Sequence, residues 1–284
     1  LPTLPIGGTK GDMTKGADLT GRNDADIDRV ANVLADSARM VISPFFRRHD
    51  LTTNNKLATG FDPVTEADRA AEAAMRDILA RDRPADAILG EEFGAKRGSS
   101  GLTWVLDPID GTRGFLSGTP TWGVLIAVND AQGPFYGLID QPYIGERFIG
   151  DATGARFAGP KGAGPLATRA PRALAQAIVF TTFPEVGSKT ERDAFNAVAS
   201  RARLTRYGMD CYAYALVAAG QVDLVIEAGL QPYDIQAPIA LIEAAGGLVT
   251  DWQGGPAHDG GRVVAAANTA IHAEALALLR EYCE

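Results

Sequence analysis

Cysteine is nearly absent, with Cys211 and Cys283 alone among 284 residues. Two cysteines build neither a disulfide framework nor a thiolate metal cluster. Histidine is almost as scarce: His49, His258 and His272 lie too far apart in sequence to suggest a local zinc motif. Basic residues are dispersed, with no Lys/Arg run longer than Arg47-Arg48, and the formal net charge is -8. This balance argues against a nucleic-acid partner, which ordinarily meets a basic patch. No apolar run reaches the length of a membrane span, and the first residues lack the basic and apolar regions of a secretory leader. A cytoplasmic protein with neither a membrane nor a nucleic-acid partner is therefore expected.

What is present suits a globular enzyme. Hydrophobic residues make up 46% and charged residues 22%, enough for a sizeable core in one large domain or two modest ones. Residues 1–20 are expected to be a tag or disordered lead, with Met13 as the natural start. Ile27, Val30, Val33, Leu34, Ala38, Val41 and Ile42 recur at helical spacing and predict a helix over 26–48, bent near Pro44. A second helix is expected from Thr65 or Glu66 to Arg81, and short strands at 87–89, 103–106, 122–128, 136–140 and 145–150. Gly, Ala and Pro dominate 150–171, which reads as a domain boundary or a long hairpin excursion. Beyond it, strands at 177–181, 204–207, 222–227, 248–250 and 263–266 mix with helices at 191–202, 212–219, 235–245 and 269–282. This order implies layered α/β or α+β packing, divided as 21–155 and 156–284.

The informative segment is Trp104-Val-Leu-Asp107-Pro-Ile-Asp110-Gly-Thr112. An apolar strand delivers Asp107, Pro108 stiffens its exit, and Asp110 follows close enough for both carboxylates to meet one pair of ions. Gly111-Thr112 then permits a tight turn into a helix whose backbone N–H groups suit a phosphate. Hard oxygen ligands of this kind fit Mg²⁺ better than zinc. A lone D-x-x-D before glycine is ordinarily a solvated turn. Here acidic strand ends recur at Gly90-Glu91-Glu92 and Tyr233-Asp234, and Asp62-Pro-Val-Thr-Glu-Ala-Asp68 adds another acidic turn. If these groups converge, their repulsion calls for cations.

The same segments resemble the inositol monophosphatase superfamily of metal-dependent phosphatases, over nearly all of the chain from Asp26 onward. The carriers are Asp62–Asp68, Gly90–Glu92, Trp104–Thr112, and Tyr233-Asp234 followed by Ala244-Ala-Gly-Gly247. The resemblance implies an α+β fold, a layered αβαβα sandwich. Its larger metal-binding domain is 21–155, and the smaller 156–284 completes the substrate site. It further implies two or three Mg²⁺ ions, with Mn²⁺ as a substitute, and a homodimer. Glu91, Asp107 and the Ile109 carbonyl would bind one ion; Asp107, Asp110 and Asp234 would bind the next. Thr112 and Glu91 would position and activate the attacking water, and Asp62 would assist a third, weaker ion. Gly111 and Thr112 would receive the phosphate, and Glu227 would contact the rest of the substrate. Glu92 is not an expected ligand, and Asp68 is read as structural support. The implied reaction is direct hydrolysis without a covalent enzyme intermediate.

Gly111-Thr-Arg113-Gly-Phe115, Asp210-Cys-Tyr212-Ala-Tyr214 and Glu227–Asp234 look most like the histidinol-phosphate phosphatase branch. That substrate carries an ammonium and an imidazole, and Asp210 with Glu227 could clamp them. Asp210 could equally cap the following helix. Arg113 has two readings, phosphate contact or pairing with a carboxylate. Tyr212, Tyr214 and Trp122 line a pocket or fill the core, with the core favoured. Cys211 is read as a packing residue, His49 and His258 as surface groups. The runner-up activity is an inositol-1-phosphate or broad-specificity sugar phosphatase. A binding module that kept the fold is the alternative outside enzymes.

Overall fold

A computed structural model describes residues 23–48, 53–55 and 63–282 of the chain. Helices α1 (Asp24–Ile42) and α2 (Glu66–Asp82) flank two short paired strands, β1 (Thr53–Asn55) and β2 (Pro63–Thr65). Next come β3 (Ala87–Gly90), β4 (Gly94–Lys96), β5 (Thr103–Asp110), the short α3 (Thr112–Ser117), β6 (Gly123–Asp130), β7 (Gly133–Gln141), β8 (Glu146–Asp151), β9 (Gly154–Gly159) and β10 (Gly162–Pro165). The rest is β11 (Ile178–Thr181), α4 (Lys189–Ala199), β12 (Leu204–Tyr207), α5 (Tyr212–Ala218), β13 (Leu224–Leu230), α6 (Pro232–Ala244), β14 (Leu248–Asp251), β15 (Gly261–Ala266) and α7 (Thr269–Arg280).

Helix α1 is capped by Asn23, whose side chain accepts from the Asp26 N–H at 3.2 Å. It stops at Ile42 rather than Arg48, because Pro44 has no N–H to continue the ladder. An eight-stranded sheet runs in the order β10-β9-β8-β7-β6-β5-β3-β4, and a five-stranded one in the order β12-β11-β13-β15-β14. The Gly-rich stretch is thus a hairpin, β9–β10, that extends the first sheet to Pro165. The division expected between 155 and 156 falls inside β9.

Alternation along the strands sorts side chains into three cores. On β5, Trp104 and Leu106 face α1 and α2, while Val105 faces the opposite side. On β13, Leu224 and Ile226 join α4 and α7, while Val225 faces the middle of the molecule. Helices α5 and α6 fill the space between the sheets, which gives the layer order helix, sheet, helix, sheet, helix. Helix α6 is apolar on every side, as a helix between two sheets must be, with Ile235, Ala237, Pro238, Ile239, Ala240, Leu241 and Ile242 all buried. Trp122 is fully buried against Phe115, with ring centroids 4.9 Å apart, as the core reading expects.

Candidate active site

Two aspartates three positions apart on a regular strand point to opposite faces. Strand β5 escapes this rule. Asp107 pairs with Leu125 on β6, but Asp110 pairs with Gly123, so three steps on one strand match two on the other. The extra residue is a bulge, formed where Pro108 has no N–H to lend to a ladder. It switches the parity, and Asp107 and Asp110 meet in one cluster with Asp234, their carboxylate oxygens within 4.8 Å of one another. Gly111 follows at φ +83°, where a Cβ would lie 2.6 Å from the Asp210 carboxyl carbon. Only glycine fits that turn. Thr112 then opens α3, its hydroxyl donating to the Ile109 carbonyl at 3.2 Å.

Asp234 reaches the cluster from the first turn of α6, not from a strand end as the sequence suggested. Its carboxylate also accepts from the Gln231 N–H at 2.6 Å. The helix lies close on the first sheet because β7 and β8 present glycines beneath it. A Cβ on Gly137 would sit 2.2 Å from the Ala237 carbonyl oxygen, and one on Gly150 would sit 2.4 Å from the Leu241 Cα.

Glu91, just past β3, falls in a second acidic group with Asp68 and Glu92. It acts on the first group electrostatically: burial first, then the charges of Glu91, Asp110, Asp234 and Asp68, hold the Asp107 carboxyl well above the usual range. The turn carrying Glu91 is held by Glu72, which sequence reasoning missed. Buried in α2, Glu72 accepts from the Glu92 N–H at 2.6 Å and the Phe93 N–H at 3.3 Å, and pairs with Arg76 at 2.7 Å. Gly90 leaves it room, since a Cβ there would lie 2.0 Å from its Oε1. The signal was available: Asp68 and Glu72 share the buried stripe of α2 with Ala71, Met75 and Leu79. Asp62 lies outside the described residues, as does His49.

A cavity of about 330 Å³ opens beside Asp110 and Asp234. Gly111, Thr112 and Arg113 line it from the first sheet's side, and Thr182, Phe183, Asp210, Tyr214 and Glu227 from the second's. Asp210 does not cap α5; no side chain does. It stands at φ +45°, a conformation aspartate tolerates better than most residues, and its carboxylate accepts from the Thr121 hydroxyl at 2.7 Å. Burial raises its pKa, opposed by the Thr121 bond and by Arg113. The turn directs the Cys211 N–H onto Asp110 at 2.6 Å. Burial and then Asp110, itself pushed up mainly by burial and Asp234, raise the Cys211 thiol well above its ordinary value, which suits the packing role. Arg113 lies over the Phe183 ring, 4.6 Å from its centroid. Glu227 sits at a second bulge, on β13 opposite β15. It accepts from the Thr182 N–H (2.6 Å), the Thr182 hydroxyl (2.8 Å) and the Thr181 hydroxyl (3.1 Å), yet burial pushes it up to about 7. Tyr212 donates to Glu146 at 2.5 Å. Tyr214 is buried in the central core, as the core reading expects, and also borders the cavity.

The Asp107–Asp110–Asp234 cluster has the chemistry of a hard-cation site. All its donors are carboxylate oxygens, and the buried Asp107 Oδ1 has no hydrogen-bond partner among the described residues. Gathered like charges and an orphaned oxygen are what a divalent cation would relieve.

The model of the inositol monophosphatase family matches residues 23–284. The chain belongs to this family. Among similar proteins, the bifunctional phosphatase IMPL2, chloroplastic, of Arabidopsis thaliana is 42% identical over 270 residues, covering 89% of this chain and 76% of its own. The histidinol-phosphatase of Mycobacterium tuberculosis is 35% identical over 254 residues, covering 88% and 96%. A solved inositol monophosphatase from Zymomonas mobilis, 39% identical, superposes with a TM-score of 0.79 over 91% of this chain and 100% of that one. The αβαβα layering is the family's fold, and its metal-dependent phosphatase chemistry agrees with the acidic clusters. No helix among the described residues is long and apolar enough to cross a membrane.

Proposed function

We propose that the chain hydrolyses L-histidinol phosphate to L-histidinol and phosphate, a step of histidine biosynthesis, as a Mg²⁺-dependent cytoplasmic homodimer. The observation that carries this reading is that two largely buried acids, Asp210 and Glu227, line the cavity that opens beside Asp110 and Asp234. An inositol ring offers only hydroxyls there, whereas a cationic amine or imidazolium restores charge balance to groups that burial drives toward the neutral form. The histidinol-phosphatases among the similar proteins support the same choice.

In this reading Asp107, Asp110 and Asp234 hold one cation, and Glu91, Asp107 and the Ile109 carbonyl another; Asp62 assists a third. Bound divalent cations supply positive charge to the phosphoryl group. The chain's own groups do the rest. Thr112 and Glu91 hold the attacking water, and the Glu91 carboxylate takes up its proton. Gly111, Thr112 and Arg113 orient the phosphate, and Asp210 and Glu227 the amine. Each arrangement lowers the barrier by fixing the partners before reaction. The test is kcat/KM for L-histidinol phosphate against inositol 1-phosphate with Mg²⁺ present. A preference for the amino ester of tenfold or more is expected; comparable values, or a preference for inositol, refute the substrate and favour the inositol- or sugar-phosphatase reading.

A further inference from the structure

Asp210 joins the cavity wall with its two carboxylate oxygens unequally engaged. Oδ2 accepts from the Thr121 hydroxyl at 2.7 Å, whereas Oδ1 has no hydrogen-bond partner among the described residues. Unlike the Asp107 Oδ1, it is not sealed from solvent. Asp210 is half-buried and lines the cavity with Arg113, Phe183 and Glu227, so this oxygen is within a ligand's reach.

The surroundings hold the Thr121 bond in place. Asp210 stands at φ +45°, and its carboxylate rests on the start of α3, where two glycines leave it room. A Cβ on Gly111 would sit 2.6 Å from the Asp210 carboxyl carbon. One on Gly114 would sit 2.8 Å from Oδ2 and 3.0 Å from the Thr121 hydroxyl oxygen. Thr119, which donates to the Gly114 carbonyl at 3.1 Å, stands 3.3 Å from the same hydroxyl. An ionised carboxylate has no hydrogen to give, so the Thr121 hydrogen goes to Oδ2. The last torsion of an aspartate is otherwise loose. The hydroxyl therefore fixes the plane of the carboxylate and leaves Oδ1 as its one open acceptor.

We infer that Thr121 is a positioning residue for the leaving alcohol, its hydroxyl holding Asp210 so that Oδ1 accepts from a substrate donor beyond the phosphate. This rests on the reading of Asp210 given above, on which that donor is the ammonium of the amino ester.

The test is Thr121→Val in the full chain with Mg²⁺, which removes the hydroxyl and nearly keeps the shape. The reference ester is 4-nitrophenyl phosphate, whose leaving group carries no N–H or O–H to offer Asp210. The ratio of kcat/KM for L-histidinol phosphate to that for 4-nitrophenyl phosphate is expected to fall about tenfold, the worth of one hydrogen bond to a charged group. The loss should sit in KM for the amino ester, and Thr121→Ser, which restores the hydroxyl, should recover most of the ratio. In an Asp210→Ala background Thr121→Val should lower the ratio no further, because the hydroxyl then has nothing to hold. An unchanged ratio, an equal loss on both esters, a serine variant as poor as the valine one, or a further fall in the Asp210→Ala background each overturns the inference. If Asp210→Ala alone leaves the ratio at its wild-type value, the reading of Asp210 has failed and this inference falls with it. If Asp210→Ala lowers the ratio and Thr121→Val does not, only the inference falls.

Discussion

Replacing Asp107 by asparagine should do two opposite things to stability, depending on whether cations are supplied. In the folded protein Asp107 is buried at 2% exposure, its Oδ1 has no hydrogen-bond partner among the described residues, and Glu91, Asp110, Asp234 and Asp68 all press negative charge on it. A buried acceptor left without a partner costs about 1–3 kcal/mol. Asparagine removes the charge, keeps the shape and brings two N–H donors to neighbouring carboxylates. In excess chelator at pH 7.5, Asp107→Asn should therefore melt above wild type by about 2–12 °C, at roughly 2–4 °C per kcal/mol for a chain of this class. Mg²⁺ reverses the order. At a hundredfold excess over its Kd a cation stabilises wild type by about 2.7 kcal/mol, and the variant, short of the shared ligand, should gain little. Its phosphatase activity should be lost throughout. Thermal unfolding by circular dichroism, with chelator and then with MgCl2, reads both effects. A variant that melts below wild type in chelator would refute the idea that the cluster is strained without a cation.

Three further tests probe other parts of the site. Glu72→Ala frees the turn that carries Glu91, so the Mg²⁺ concentration for half-maximal activity should rise about 10- to 100-fold, as for other groups that orient metal ligands; an unshifted activity titration means the turn holds itself. Gly150→Ala drives a methyl into the α6 backbone and should destabilise the fold by about 1–3 kcal/mol, seen as a lower urea midpoint; equal midpoints mean the helix is not seated so closely. Glu227 rises from 4.5 to about 7 on folding, so its contribution is full below pH 4.5 and is lost as pH climbs through 7. Against Glu227→Gln, metal-free wild type should lose roughly 3 kcal/mol more between pH 4.5 and 7.5, and parallel stability curves would contradict the shift.

The sequence made some of this legible and hid the rest for identifiable reasons. Strand β5 was readable because its apolar run ends on the D-x-x-D-G-T segment, although the bulge that unites Asp107 and Asp110 was not, since bulges depend on the partner strand. The start of α6 was misplaced because a helix buried on every side has no polar face to mark its phase, and Asp234 looked like a strand end. Hairpin β9–β10 was legible only as one of two readings of 150–171, because its glycines and alanines lack strand propensity. Spacing favoured the core for Tyr214, and the structure packs it there, at the border of the cavity. Glu72 passed as an ordinary helix acid until the 91–93 turn folded onto it.

The cavity walls come from two different sheets. Asp110 through Arg113 hang on β5 of the first sheet, whereas Thr182, Phe183 and Glu227 hang on β11 and β13 of the second. On the proposed reading the phosphate end of the cavity rests on the first sheet together with Asp234 of α6, and much of the wall that would meet the leaving group rests on the second sheet. On that reading, substitutions at Thr182 and Phe183 would retune which alcohol is released while leaving Asp107, Asp110 and Asp234 in place. Such a chain can diverge in substrate, by drift or by design, through changes confined to one wall.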